Sequence, residues 1–133
     1  MVTPAALADT SLFVGIEAGR PIHYDRLPAE IHVSVVTLAE LEAGVLRAPD
    51  AERRARRLAT LREVASLEAE PITEAAAHHW ALLRSRLAEA GLRANVNDLW
   101  IAACALALGL PVVTQDADFE ALEPLGGPKV ILI

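Results

Sequence analysis

The sequence predicts an α/β domain with a mostly parallel central sheet covered by helices. Three observations carry this prediction. Short apolar or β-branched runs alternate with longer stretches of helical composition. The gaps between the runs are too long for hairpins, so successive strands need crossovers, which put helices on the sheet faces. The length of 133 residues suits one domain, 1–133, with one core.

The elements follow in order. Residues 5–8 form a short apolar run ending at Asp9, read as the first strand. Residues 11–18 read as a helix stopped by Gly19. Residues 31–36 are rich in β-branched side chains and read as the second strand. A helix over 37–46 follows, with Pro49 beyond it. Asp50 suits the cap of a helix over 51–67. After an extended piece near 70–72, Thr73 suits the cap of a helix to residue 90, closed by Gly91. Asn97 is the expected cap of a helix over 98–108, with Gly109 and Pro111 as stop signals. Residues 111–114 read as a strand, 118–122 as a helical turn and 130–133 as the last strand.

Composition excludes several classes. No apolar run reaches the ~18 residues of a membrane span, and residues 1–8 lack a basic leader. Cys104 is the single cysteine, so no internal disulfide forms, and a reducing, cytoplasmic setting is expected. No Cys/His zinc spacing exists, and His78 and His79, adjacent on a helix, diverge by ~100°. The net charge of −6 argues against a protein that coats nucleic acid, where a basic face supplies most of the affinity. It does not exclude a nuclease whose acids hold metal ions, because bound cations reverse the local field.

The acids fall in a pattern. Asp9 follows the first strand, Glu40 lies one turn into the helix after the second, Asp98 opens a helix, and Asp116 and Asp118 follow the strand ending at Thr114. Sites in parallel sheets lie beyond the carboxyl ends of the strands. These acids should therefore converge at one end, where they repel one another unless cations intervene. Mg²⁺ and ions like it want such oxygen ligands.

Each acid also has a purely structural reading. Asp9 could cap the next helix. Glu40 sits in Thr37–Leu38–Ala39–Glu40, a capping-box pattern. Asp98 could be a first-turn acid favoured by the helix dipole, and Asp116 a turn or cap residue. The coincidence of all of them at one predicted sheet edge weighs against those readings together. Thr10, Ser11 and Thr114 supply nearby hydroxyls that could cap or could support the site. Arg53, Arg54, Arg56, Arg57 and Arg62 form a basic stretch, read first as a solvated face and otherwise as RNA or partner contact. Trp80 and Trp100 read as core or interface, and His23 and His32 carry no readable motif.

At these same residues the chain resembles a known family. Asp9–Thr10–Ser11, Thr37–Leu38–Ala39–Glu40–Leu41, Asn97–Asp98 with its apolar helix, and Thr114–Gln115–Asp116–Ala117–Asp118–Phe119 look like the four acidic blocks of PIN domains. Their order and spacing look most like the VapC toxins of bacterial VapBC toxin–antitoxin pairs. The resemblance implies a PIN-like fold and a Mg²⁺- or Mn²⁺-dependent endoribonuclease. It also implies a protein that is usually homodimeric and is neutralised by a VapB-type antitoxin. Matched by position, Asp9, Glu40, Asp98 and Asp116 are the acidic quartet and Asp118 an additional acid. Asp9, Asp98 and Asp116 would bind metal directly. Glu40 would ligate through water, orient the nucleophile or act as base, and Ser11 or Thr114 would position a water or a phosphate oxygen.

Two other classes compete. Asp116–Ala117–Asp118 after an apolar strand resembles the nucleophile motif of haloacid-dehalogenase-like phosphatases, but the single lysine, Lys129, comes too late to be its basic partner. A non-catalytic PIN-like scaffold or RNA-binding protein is the second, and the intact acids argue against it.

Overall fold

The computed structural model describes residues 4–133. Four short strands form one sheet: β1 (Ala5–Ala8), β2 (Glu30–His32), β3 (Val112–Thr114) and β4 (Val130–Leu132). Their spatial order is β2-β1-β3-β4, and every pairing is parallel. Parallel strands need return paths, and the helices supply them. Helix α1 (Thr10–Glu17) and a 3₁₀ turn (Tyr24–Arg26) join β1 to β2. Helices α2 (Val35–Leu46), α3 (Ala51–Ala65), α4 (Glu74–Glu89) and α5 (Val96–Leu108) join β2 to β3. A 3₁₀ stretch, Ala117–Leu125, joins β3 to β4.

Strand side chains alternate between faces, and the core divides accordingly. Leu7 and Val112 point into a cluster with Leu83 and Leu87 of α4 and Ile101 and Ala105 of α5. Ala6, Ala8 and Val113 point into a second cluster with Leu12 of α1, Leu41 of α2 and Val64 of α3. The small side chains of Ala6 and Ala8 let the α1–α2–α3 layer approach the sheet closely. The two central strands are thus buried on both faces, as a parallel sheet requires.

Several element ends differ from the sequence reading, for physical reasons. Val35 and Val36, read as strand, open α2, because Ser34 ends the extended segment and its side chain caps the helix by accepting from the Thr37 N–H. The cap and the burial of Val36 against the core outweigh β-branched propensity. Asp9 caps α1, which therefore begins at Thr10. The cap of α5 is Asn95, whose side-chain oxygen accepts from the N–H groups of Asn97 and Asp98, so Asn97 is not the cap. The expected caps Asp50 and Thr73 do accept from Arg53 and Ala76. The helical turn after β3 is longer than read and is 3₁₀ throughout, with Pro124 inside it. Trp80 and Trp100 stack with ring centroids 5.0 Å apart, tying α4 to α5 beside the core.

The strand order fixes where a crevice opens. From β1 the chain crosses outward to β2, and from β3 it crosses outward to β4 on the opposite side. Helices leaving adjacent strands in opposite directions part from one another there, so β1 and β3 form the switch point of the sheet. The residues just after them are Asp9 and the Gln115–Asp116 pair.

Candidate active site

Asp9 is set by the backbone on both sides. Its N–H donates to the Val113 carbonyl at 2.9 Å, and it then caps α1, accepting from the Ser11 N–H at 3.3 Å. Its carboxylate also accepts from the Thr114 hydroxyl at 2.9 Å. An ionised carboxylate cannot donate, so Thr114 spends its only proton on Asp9. The 3.0 Å contact between Ser11 Oγ and Thr114 Oγ1 must then run from Ser11 to Thr114. Thr114 also accepts the Asp116 N–H, and Ser11 accepts the Gln115 N–H. The result is a closed polar network in which Asp9 is only 3% and Thr114 0% exposed. With its one donor and both acceptor positions filled, Thr114 positions Asp9 and Asp116.

Glu40 is held differently. It lies mid-helix in α2 and accepts the Thr10 hydroxyl at 2.7 Å. The capping-box reading fails, because Ser34 rather than Thr37 is the cap and Thr37 is buried inside the helix. Thr37 Oγ1 instead touches Thr10 Oγ1 at 3.1 Å, a partner that sequence reasoning missed. Its signal was a hydroxyl one helical turn before Glu40, on the same face.

Asp98 stands in the first turn of α5, half-buried. Its carboxyl is pushed up to about 7, first by burial and then by the charges of Asp9, Asp116, Glu40 and Asp118. The charges of all four other acids thus act on Asp98 in the same direction. Asp116 is half-buried and caps the 3₁₀ stretch by accepting from the Asp118 N–H at 2.9 Å, and Asp118 is exposed at the rim. Two further residues shape this edge. The Gln115 amide donates to the Pro21 carbonyl and packs so closely on α1 that a Cβ at Gly15 would overlap it.

The donor set is entirely carboxylate and hydroxyl oxygen. Among the described residues no three acidic, histidine or cysteine side chains form a ready-made cage. An oxygen-only set of this openness fits a hard divalent ion that keeps several of its own waters, as Mg²⁺ does.

Residues 6–123 match the PIN domain family. The chain belongs to that family. The matched segment contains all five acids, which sets aside the phosphatase reading of Asp116–Ala117–Asp118. This PIN domain is 48% identical over 132 residues to ribonuclease VapC5 of Mycobacterium tuberculosis, with 98% of each chain covered. It is 51% identical over 118 residues to ribonuclease VapC4 of the same organism, covering 88% of this chain and 90% of that one. A crystal structure of VapBC-5 from M. tuberculosis, a member of the VapBC family of toxin–antitoxin systems, superposes with a TM-score of 0.86. That match has 46% identity and covers 98% of each chain. Among the described residues no helix is long and apolar enough to cross a membrane.

Proposed function

We propose that this PIN domain is a divalent-metal-dependent endoribonuclease and the toxin of a type II toxin–antitoxin pair. The observation that carries the reading is 48% identity along almost the whole length to a named ribonuclease, in a chain whose Asp9 and Asp116 directly follow the two strands of the switch point. A scaffold has no use for such mutually repelling charges, which raise the energy of the fold.

Asp9, Asp98 and Asp116 would hold Mg²⁺ or Mn²⁺, with Asp118 at the rim as an additional acid. The bound ion would supply positive charge to the phosphate oxygens and a more acidic water. The protein's own contribution is positional. Ser11 and Thr114 lock the Asp9 carboxylate into one orientation. Glu40, oriented by Thr10, would align a water or take its proton. Asp98, whose proton affinity is raised, would release its proton to solvent on holding a cation, which would couple metal uptake to pH.

The partner in this reading is a VapB-type antitoxin, as in the VapBC-5 structure. A basic side chain from it, placed among the acids, would supply the charge that a metal otherwise brings. The toxin itself would form a homodimer, which light scattering of the free protein checks.

The test joins activity to binding. Purified protein with Mn²⁺ should cut total RNA at a restricted set of 5′ ends, and its melting temperature should rise with Mn²⁺ by linkage. Expression without antitoxin should arrest growth. Asp98→Asn should lose all three effects. A protein that neither cuts RNA nor responds to Mn²⁺ is the scaffold, and the proposal is then wrong.

A further inference from the structure

Two clefts open beside the acids, Glu40 lining one and Asp98 and Asp118 the other. The larger, about 1090 Å³, is lined by Thr10 and Glu40 together with Arg47, Arg57 and Asn97. The smaller, about 480 Å³, is lined by Asp98 and Asp118 together with Arg93 and Asn95. Small-ligand pockets span roughly 300–1,000 Å³, so each cleft has room for a nucleotide or more. The first turn of α5 is the ridge between them, contributing Asn97 to one side and Asp98 to the other.

Each cleft carries arginine in a protein of net charge −6. Four of the five arginines of α3 are exposed, and two of these are engaged on the surface, Arg53 with Asp50 and Arg56 with Glu52, each at 3.7 Å. Arg57 is different. It shares a helix face with Leu61 and Val64 of the core, is half-buried, and donates one N–H to the Gly44 carbonyl at 2.7 Å. Among the described residues neither Arg57 nor Arg47 nor Arg93 is within salt-bridge distance of a carboxylate. A guanidinium has five donors in a planar fork suited to phosphate, and Arg57 uses one of them in the fold.

We propose that the two clefts are one track for single-stranded RNA, with Arg47 and Arg57 gripping backbone phosphates on one side of the scissile bond and Arg93 a phosphate on the other. The proposal rests on the ribonuclease reading of the acid site. Its logic is electrostatic. The acids repel a polyanion, so the strand needs cations at fixed distances on both flanks to be drawn across them. Asn95 and Asn97, exposed on either side of the ridge, are in position to donate to the sugars or bases that flank the cut.

The experiment reads salt dependence. Binding of a fluorescent pool of random 20-nucleotide RNA is followed by anisotropy in an Asp98→Asn background, which holds substrate uncut. Cutting of the same pool is followed with Mn²⁺ in the otherwise native protein. Each of Arg47→Gln, Arg57→Gln and Arg93→Gln should lower the log–log salt slope by about 0.7, the share of one phosphate on a single strand. Each should raise KM roughly five- to tenfold with kcat changed less than about twofold. Arg54→Gln, on the outer face of α3, should change neither. Arg47 and Arg93 are exposed, so they keep the test decisive where loss of the Gly44 bond lowers the stability of the Arg57 variant. Unchanged slopes in a protein that still cuts the pool would overturn the track. Unchanged slopes with weakened antitoxin binding would overturn it too, by assigning the arginines to the antitoxin. Slopes that fall in a protein that never cuts would keep the track and sink the ribonuclease reading instead.

Discussion

Asp9 and Asp98 face the same crevice and are built in opposite ways. Asp9 is sealed at the end of β1, with its carboxylate receiving the Thr114 hydroxyl and the Ser11 N–H. Asp98 sits half-exposed on α5, and what acts on it is burial and the charge of its neighbours. One acid is part of the fold, and the other is held against an unfavourable field by the helix that carries it. The difference teaches that a single site can contain an acid whose loss harms the protein and an acid whose loss relieves it. Activity alone cannot tell them apart, but stability can.

The largest effect should be on cutting. Asp98→Asn keeps the shape and removes one charge, and RNA cleavage should fall by at least ~100-fold, beyond the range of an outer-shell change. The Mn²⁺-induced rise in melting temperature should shrink in parallel. Next in size is the cost of breaking the sealed acid. Asp9→Ala removes the cap of α1 and leaves the buried Thr114 hydroxyl without its acceptor. Metal-free stability in denaturant should drop by about 2 kcal/mol. A loss below about 0.5 kcal/mol would mean that the Ser11–Thr114–Asp9 network does not hold the β1–β3 edge together.

Asp98→Asn should do the reverse. Its carboxyl is raised from the ordinary 3.8 to about 7 in the folded protein. Between those values the folded state binds the proton that the unfolded state has released. Metal-free native protein should therefore lose stability as pH rises from about 4 to about 7 and lose no more above that. Asn cannot titrate, so the variant lacks this decline. At pH 8 it should be the more stable by something on the order of 1 kcal/mol, the larger linkage value being screened by solvent. At pH 4 the two should coincide. Parallel pH profiles for the two proteins would place Asp98 outside the field of the other acids.

Much of this was legible in the sequence, and the failures have a common cause. The parallel sheet, and the positions of Asp9, Asp98 and Asp116 after a strand or near a helix start, came from run lengths and spacing alone. The caps of α2 and α5 were misplaced because each region offers two polar residues close together. Ser34 and Thr37 flank two valines, and Asn95 and Asn97 flank Val96. Ser34 and Asn95 are the ones whose backbone leaves the helix, a choice that a local pattern does not show. Arg57 was indistinguishable from its four neighbours until the face carrying Leu61 and Val64 turned to the core. The hydroxyl chain from Ser11 through Thr114 joins residues 103 positions apart, which no local spacing encodes.

The smallest expected change in stability is at Glu40, which tests which of the two kinds of acid it is. Like Asp9, which accepts from Thr114, Glu40 accepts from a hydroxyl of its own, that of Thr10 at 2.7 Å, and like Asp98 it lies in the common field. Gln keeps an oxygen that can accept from Thr10, so Glu40→Gln preserves that bond while removing the charge. The weaker hydrogen bond and the relieved repulsion act in opposite directions. Their sum should leave metal-free stability within about 0.5 kcal/mol of native, the ordinary range for a substitution that breaks no packing. Cutting should still fall, because an amide can neither take a proton from water nor hold a cation through one. If stability instead drops as far as in Asp9→Ala, then Glu40 serves chiefly to fasten α2 to α1 through Thr10. If stability and cutting are both unchanged, Glu40 leaves the site, and the acids that matter are the three at the mouth of β1, β3 and α5.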